Sequence, residues 1–145
     1  MVATAAFPQP VSGWNGAPQL VLDTNIVLDI WLFSDPRSAW VLPLLRRSAC
    51  VWLATGPMQA ELVRVLAYPG ILRQLALRAV SAADVQTAFA NYSQTAAPAP
   101  AAPRHLTCQD ADDQKFIDLA WAHSAQLLSR DRAVGAVMKR FPATQ

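Results

Sequence analysis

The stretch Gln19–Asn25 (QLVLDTN) decides the fold, because it joins a short apolar run to a turn that can begin a helix. A short run of Val and Leu is typical of a strand buried on both faces of a sheet. Asp23 ends the run, and the side chains of Thr24 and Asn25 can both cap a helix. The stretch therefore predicts a strand that is followed directly by a helix to about Phe33.

The same strand–turn–helix pattern recurs along the chain. Cys50–Ala54 (CVWLA) and Gln126–Ser129 (QLLS) are short apolar runs, and helices are predicted after them over about 58–67 and 132–140. Leu106–Cys108 is a candidate strand of two or three residues. Short strands that alternate with helices predict an α/β fold of three layers (α/β/α), with a short central parallel sheet flanked by helices. Binding sites in such sheets form at the C-terminal ends of the strands.

Pro and Gly residues set the predicted boundaries. Residues 1–18 are predicted to be a flexible leader, with Trp14 as a candidate for docking on the domain, and residues 19–145 are predicted to form one domain. Within that domain, residues 95–104 (TAAPAPAAPR) predict an extended surface loop. Helices are also predicted over about 36–47, where Pro43 introduces strain, and from Ser81 to about Ser93.

Composition limits the class of protein. The 145 residues are 53% hydrophobic and 15% charged, which fits one folded domain and excludes general disorder. A net charge of +2 is too small to indicate nucleic-acid binding by itself. Two separated cysteines do not form a disulfide scaffold or a zinc knuckle pattern. No apolar run reaches the ~20 residues of a membrane span, and no basic signal region begins the chain. We expect a cytoplasmic protein without a membrane segment.

The acidic residues carry the functional signal, because nine Asp and a single Glu stand at selective positions. Asp23 and Asp131 each follow a predicted strand, where an apolar setting makes a carboxylate costly unless it is bound. Helix capping is the alternative explanation for both. Glu61 lies on the flank of the 58–67 helix, about 85° from the centre of its apolar face. A surface pair with Arg64 is its alternative role.

Three acidic residues, Asp110, Asp112 and Asp113, crowd the start of one predicted helix. Simple capping and dipole compensation explain acids at this position. Asp113, however, lies within about 15° of the apolar stripe marked by Phe116, so it is predicted to point toward the sheet. Asp118 falls nearly opposite that stripe and is predicted to be solvated.

Carboxylates gathered at strand ends repel one another unless cations lie among them. Oxygen ligands alone favour hard metal ions such as Mg²⁺ or Mn²⁺, which act on phosphate substrates. His105 and His123 are isolated in the sequence, so no zinc or copper site is predicted.

Four stretches resemble the acidic motifs of the PIN-domain family, in the family's order and over residues 19–135. They are LVLDTNIVLD (Leu20–Asp29), QAELVRVLAYP (Gln59–Pro69), DADDQKFIDLA (Asp110–Ala120) and LLSRD (Leu127–Asp131). The strongest likeness is to the bacterial VapC-like subgroup, the toxins of toxin–antitoxin pairs. Arg130 stands where many relatives have Gly, and the Ala/Pro loop is not a family hallmark.

The resemblance implies a Mg²⁺- or Mn²⁺-dependent ribonuclease with a three-layer fold. Asp23, Glu61, Asp113 and Asp131 match the family's acidic positions, and Asp110 is a plausible fifth. In the implied mechanism, Asp23, Asp113 and Asp131 hold one or two ions, Glu61 helps to position metal or water, and activated water attacks the RNA phosphodiester in line. Further residues follow by position: Asn25 and Ser129 as supporting polar groups, and Arg130, Arg132, Arg64 and Arg37 as candidates for RNA phosphates.

The implied partners are an RNA substrate, a cognate antitoxin and a second copy of the chain, with Trp31 or Trp40 as candidate interface residues and core packing as their alternative. A PIN-like module that binds RNA or protein without cutting is the competing function. Two other classes fit less well: Asn25 stands where a haloacid-dehalogenase-type phosphatase needs a second Asp, and no late strand carries the Lys of a receiver domain. No GxGxxG follows the first strand, which argues against a dinucleotide enzyme.

Overall fold

A computed structural model describes Ala3–Thr4, as backbone only, and residues 17–141. Its strands are β1 (Ala3–Thr4), β2 (Gln19–Leu22), β3 (Val51–Ala54), β4 (Ser93–Thr95) and β5 (Gln126–Ser129). Its helices are α1 (Thr24–Trp31), α2 (Pro36–Ala39), α3 (Val41–Arg46), α4 (Gly56–Leu66), α5 (Pro69–Arg78), α6 (Ala82–Tyr92), α7 (Gln114–His123) and α8 (Arg132–Met138).

The sheet has the order β1-β5-β2-β3-β4, and its last four strands are parallel. Leu20 of β2 is in register with Trp52 of β3 on one side and with Gln126 of β5 on the other. The chain therefore builds outward from β2 to β4 and then returns to the opposite side of β2. This reversal opens a crevice at the C-terminal ends of β2 and β5, which is where ligands bind in open α/β sheets.

Helices cover both faces of the sheet, as the sequence predicts for a three-layer α/β/α fold. Helices α1, α4 and α6 contact one another, and α7 packs against β2 and β5. All four residues of β5 are buried, as are the last three of β2. Burial on both faces explains why Val and Leu stand consecutively in these strands rather than alternating with polar residues.

The helix expected over about 36–47 is divided into α2 and α3. Pro43 has no backbone N–H, so the carbonyl of Ala39 loses its partner four residues along, and the helical ladder is interrupted there. Asp35 caps α2 through a hydrogen bond from the Arg37 N–H (2.9 Å). The predicted capping box at Ser81 is present, with Asp84 as its second member.

The strand expected at Leu106–Cys108 does not form, and a 3₁₀ turn occupies Arg104–Leu106 instead. Gln114 takes the backbone groups that a strand would offer, because its Oε1 accepts from the Cys108 N–H (2.6 Å) and its Nε2 donates to the Leu106 carbonyl (3.1 Å). The remaining strand, β4, lies earlier in the chain, at the start of the expected Ala/Pro loop.

Asp118 is not the solvated residue that its position on the helical wheel predicts. Its Oδ1 accepts hydrogen bonds from the Ala102 N–H and from Gln114 Nε2, both at 2.9 Å. Asp118 therefore fixes the end of the Ala/Pro loop to α7, an interaction between segments that a helical wheel does not represent.

Two residues of the expected leader, Ala3 and Thr4, form the edge strand β1, which pairs antiparallel with β5. The rest of that segment up to Gly16, including Trp14, lies outside the described residues. In the described part of the chain, no helix is long and apolar enough to cross a membrane.

Candidate active site

Two of the predicted acids lie at the crevice formed by the C-terminal ends of β2 and β5. Asp23 follows the last residue of β2, and its backbone N–H donates to the carbonyl of Leu128 in β5 (3.2 Å). Asp131 follows β5 after a single intervening residue. Parallel strands that end at the same edge bring these two carboxylates together, although they are far apart in the sequence.

Both acids also cap helices, so the alternative explanation considered for them is real. Asp23 Oδ1 accepts from the Ile26 N–H (2.9 Å) at the start of α1. Asp131 Oδ1 accepts from the N–H groups of Ala133 (2.8 Å) and Val134 (3.2 Å) at the start of α8. In both residues the capping bonds fall on Oδ1, so capping and a role in a site are compatible.

Four of the predicted acids line one small cavity of about 110 Å³. Thr24 and Asn25 contribute polar groups to its wall, Val65 and Phe116 contribute apolar ones, and the acids that line it are Asp23, Glu61, Asp113 and Asp131. Asp113 reaches it from the junction of the 3₁₀ turn Ala111–Asp113 with α7.

Glu61 pairs with a residue that the sequence did not single out. Its Oε1 accepts from Lys115 Nζ (2.7 Å), and its Oε2 accepts from the Thr24 hydroxyl. The contact with Lys115 replaces the expected surface pair with Arg64. Lys115 joins α7 to α4, and it lies two residues after Asp113 in the acidic motif, which is the one signal that could have identified it.

Burial and mutual repulsion raise the pKa of two of these acids. Burial raises the pKa of Asp23 to about 6, with a smaller contribution from the negative charge of Asp131, although hydrogen bonds from Ser129 and Ile26 act the other way. Burial also raises the pKa of Asp113 to about 6, and the charges of Asp131, Asp110, Asp23 and Glu61 add to the shift. Asp113 is thus repelled by the other three acids of the cavity, and Asp23 is repelled by Asp131.

The donor set fits a hard divalent cation in its chemistry, because carboxylate oxygens that repel one another are stabilised by a positive ion. In the present arrangement, no three acidic, histidine or cysteine side chains of residues 17–141 are grouped closely enough to hold an ion. Any ion would require the side chains around the cavity to move inward.

The remaining predicted polar residues lie at different distances from the cavity. Asp110 caps the 3₁₀ turn by accepting from the Asp112 N–H (3.0 Å), and both residues are exposed and outside the cavity lining. Ser129 is buried, and its Oγ accepts from the Asp131 N–H (3.0 Å). Its additional hydrogen bond to Asp23 joins the two strand-end acids.

The four arginines proposed for phosphate contacts fall into two groups. Arg130 donates to both carboxylate oxygens of Asp29 (2.7 Å each), and Arg37 pairs with Asp35 (2.7 Å). Arg64 and Arg132 are exposed.

Asp29, the partner of Arg130, is only 1% exposed and also accepts from Ser38 Oγ (3.0 Å). The sequence did not identify Asp29, because its position on α1 does not show that Arg130 lies opposite.

Comparison with known proteins gives one family. Residues 19–133 match the family model described as PIN domain, which is most of the chain. No curated protein matches the chain.

Proposed function

The chain belongs to the PIN-domain family, whose members are generally nucleases, and from that premise we propose that it is a Mg²⁺- or Mn²⁺-dependent endoribonuclease of the cytoplasm. The observation that carries the proposal is the cavity at the ends of β2 and β5, lined by Asp23, Glu61, Asp113 and Asp131. A pure capping role does not require four carboxylates from separate segments to face one space.

The strand-end acids and Asp113 are the residues that would hold the ion. When bound, Mg²⁺ or Mn²⁺ activates water and neutralises phosphate charge. Asp23 and Asp131 are held at the cavity by their capping bonds and by Ser129, and the inward movement that an ion requires would start from these positions. Lys115 and Thr24 hold Glu61 at the edge of the cavity, where it can orient a water molecule. Asp110 remains a proposed outer ligand, and Asn25 a polar group toward substrate.

A role as the toxin of a bacterial toxin–antitoxin pair, of the VapC-like subgroup, is part of the proposal and rests on the motif resemblance alone. The same resemblance supports an antitoxin partner and a homodimer. The competing function is a PIN-like module that binds RNA or protein without cutting it. The contacts of Trp31 favour core packing over an interface role, because its ring stacks on Trp52 (5.3 Å between centroids) and on Tyr92 (5.8 Å).

The test is cleavage of a labelled single-stranded RNA of mixed sequence in Mg²⁺, in Mn²⁺ and in EDTA. The parent is compared with Asp113→Asn, which keeps the side-chain shape and removes the charge that a metal needs. Asp84→Asn is the matched control, since Asp84 lies in the exposed capping box of α6. We expect metal-dependent cleavage by the parent and by Asp84→Asn only. Equal cleavage by all three proteins, or RNA binding without cleavage, would contradict the proposal.

A further inference from the structure

A second and larger depression adjoins the acidic cavity. It has a volume of about 690 Å³ and runs along α8 toward the 3₁₀ turn at Arg104–Leu106. Asn25 and Asp131 line both spaces, so the two form one continuous surface. We call the larger one the α8 groove.

The α8 groove is positively charged away from the acids. Arg132, the first residue of α8, is exposed, and its side chain forms no ion pair among the described residues. Arg140 lies beyond the other end of α8, where its Nη1 donates to the carbonyl of His105 (3.1 Å). This carbonyl is neutral, so it orients the guanidinium without cancelling its charge. Of the residues described as lining the groove, Asp131 is the only acid.

The walls of the α8 groove differ in chemistry. Ala133 and Ala136 of α8 present an apolar surface with the buried Val137 behind them, and Thr107 and Gln109 present hydroxyl and amide groups. The side chains of Ala136, Thr107 and Gln109 are on exposed residues. An apolar wall with polar groups and guanidinium planes beside it suits an unpaired base, whereas the arginines suit the phosphates on either side.

From these features we propose that the α8 groove binds single-stranded RNA next to the phosphodiester at the acidic cavity. The proposal rests on the proposed ribonuclease function and adds the path of the substrate. The seven residues of α8 extend about 10 Å, so the groove accommodates only a short stretch of strand. Arg130 is not part of the phosphate contacts in this scheme, since Asp29 occupies its guanidinium.

The experiment separates binding from cleavage. All groove variants are made in the Asp113→Asn background and measured in EDTA, with the fluorescence anisotropy of a short fluorescein-labelled single-stranded RNA as the readout. Arg132→Glu and Ala136→Glu place negative charge in the groove. Arg73→Glu on α5 and Ala90→Glu on α6 are the matched controls, because both positions are exposed helical residues outside it. Melting temperatures of all variants verify that each one folds.

We expect the Kd for RNA to rise about tenfold or more in the two groove variants and to stay within about twofold in the controls. Arg132→Gln should lower the slope of log Kd against log salt by about one, as loss of one phosphate contact does. Equal weakening in groove and control variants would overturn the proposal, and so would groove variants that bind like their parent.

Failure of this proposal can be told apart from failure of the proposed function. If the chain with Asp113 intact cuts RNA but the groove variants bind normally, the nuclease stands and the groove assignment is wrong. If the chain does not cut RNA but the groove variants lose binding, the groove stands as an RNA site and the nuclease proposal is wrong.

Discussion

Two buried carboxylates near the two ends of α1 have opposite electrostatic surroundings. Asp23 and Asp29 are 4% and 1% exposed, and they lie on the same segment of chain. Asp29 receives two hydrogen bonds from Arg130 and one from Ser38. Asp23 faces the carboxylate of Asp131 instead, and burial raises its pKa to about 6.

The difference separates a structural acid from one kept for a ligand. A buried carboxylate with a two-pronged arginine partner has its charge and its lone pairs satisfied. A buried carboxylate beside another acid costs folding free energy, and such sites cluster where proteins bind ions or perform chemistry. We therefore expect substitutions of these two residues to affect stability in opposite directions.

The largest expected effect is on the structural acid. Asp29→Asn leaves the Arg130 guanidinium without its charge partner and should lower the free energy of unfolding by about 3 kcal/mol. Urea denaturation in EDTA measures this change. The double variant Asp29→Leu/Arg130→Met removes both charges and should recover most of the loss. A single variant within about 0.5 kcal/mol of the parent would show that the pair is not structural.

Asp23, which we call a ligand-side acid because it is proposed to bind the ion, should show the opposite effect of substitution on stability. Asp23→Asn keeps an oxygen for the capping bond from Ile26 but removes the repulsion with Asp131, so the melting temperature in EDTA should rise or stay unchanged. RNA cleavage should fall by more than about 100-fold, because loss of a direct ligand exceeds the effect of losing an outer-shell partner. Clear destabilisation together with retained cleavage would assign Asp23 to capping alone.

The sequence alone was sufficient for the fold class and for gathering the acids, because both follow from short-range patterns. A strand that ends in Asp23 and another that is followed by Asp131 must meet at one edge once the sheet is parallel. The parallel three-layer sheet is confirmed, and the PIN-domain match confirms the family. The roles of Asp23 and Asp131 as metal ligands stay predictions.

Partners that come from another part of the chain could not be predicted. The pairing of Arg130 with Asp29, of Lys115 with Glu61 and the fixing of a loop by Asp118 all depend on how helices pack. The failed strand at Leu106–Cys108 has a more local origin, because the side chain of Gln114, six to eight residues further along, takes the backbone hydrogen bonds that a neighbouring strand would take. Helical periodicity identifies which face is apolar, but it does not identify what that face meets.

The next prediction concerns the pH dependence of the free energy of unfolding. The raised pKa values of Asp23 and Asp113 mean that the folded chain binds protons more tightly than the unfolded chain between about pH 4 and 6. In EDTA, the contribution of these two acids to stability is therefore greatest below pH 4 and declines as pH rises through 6. Urea denaturation from pH 4 to 8 measures the decline.

Asp23→Asn supplies the control for this pH dependence, because it removes one of the two titrating groups. The decline between pH 4 and 6 should be shallower in this variant than in the parent. An identical decline in both proteins would contradict the assignment of the shift to Asp23.

The smallest expected effect concerns the exposed ion pair between Arg37 and Asp35, which serves as a comparison for the buried pair between Arg130 and Asp29. Arg37→Gln breaks this pair, in which the Arg37 side chain is half exposed to solvent. An exposed ion pair contributes less than about 1 kcal/mol to stability. Urea denaturation should therefore show a change well below that of Asp29→Asn. A loss as large as that of Asp29→Asn would mean that burial does not explain the difference between the pairs.

The most direct test of the ligand-side acids is calorimetric titration of Mn²⁺ into the parent, Asp23→Asn and Asp84→Asn at pH 7.5, well above the pKa of about 6 of Asp23. If the repelling carboxylates at the ends of β2 and β5 form a cation site, the parent and Asp84→Asn bind Mn²⁺ alike and Asp23→Asn does not. If Asp23→Asn binds like the parent, or if the parent does not bind millimolar Mn²⁺, the unpaired carboxylates are not a cation site.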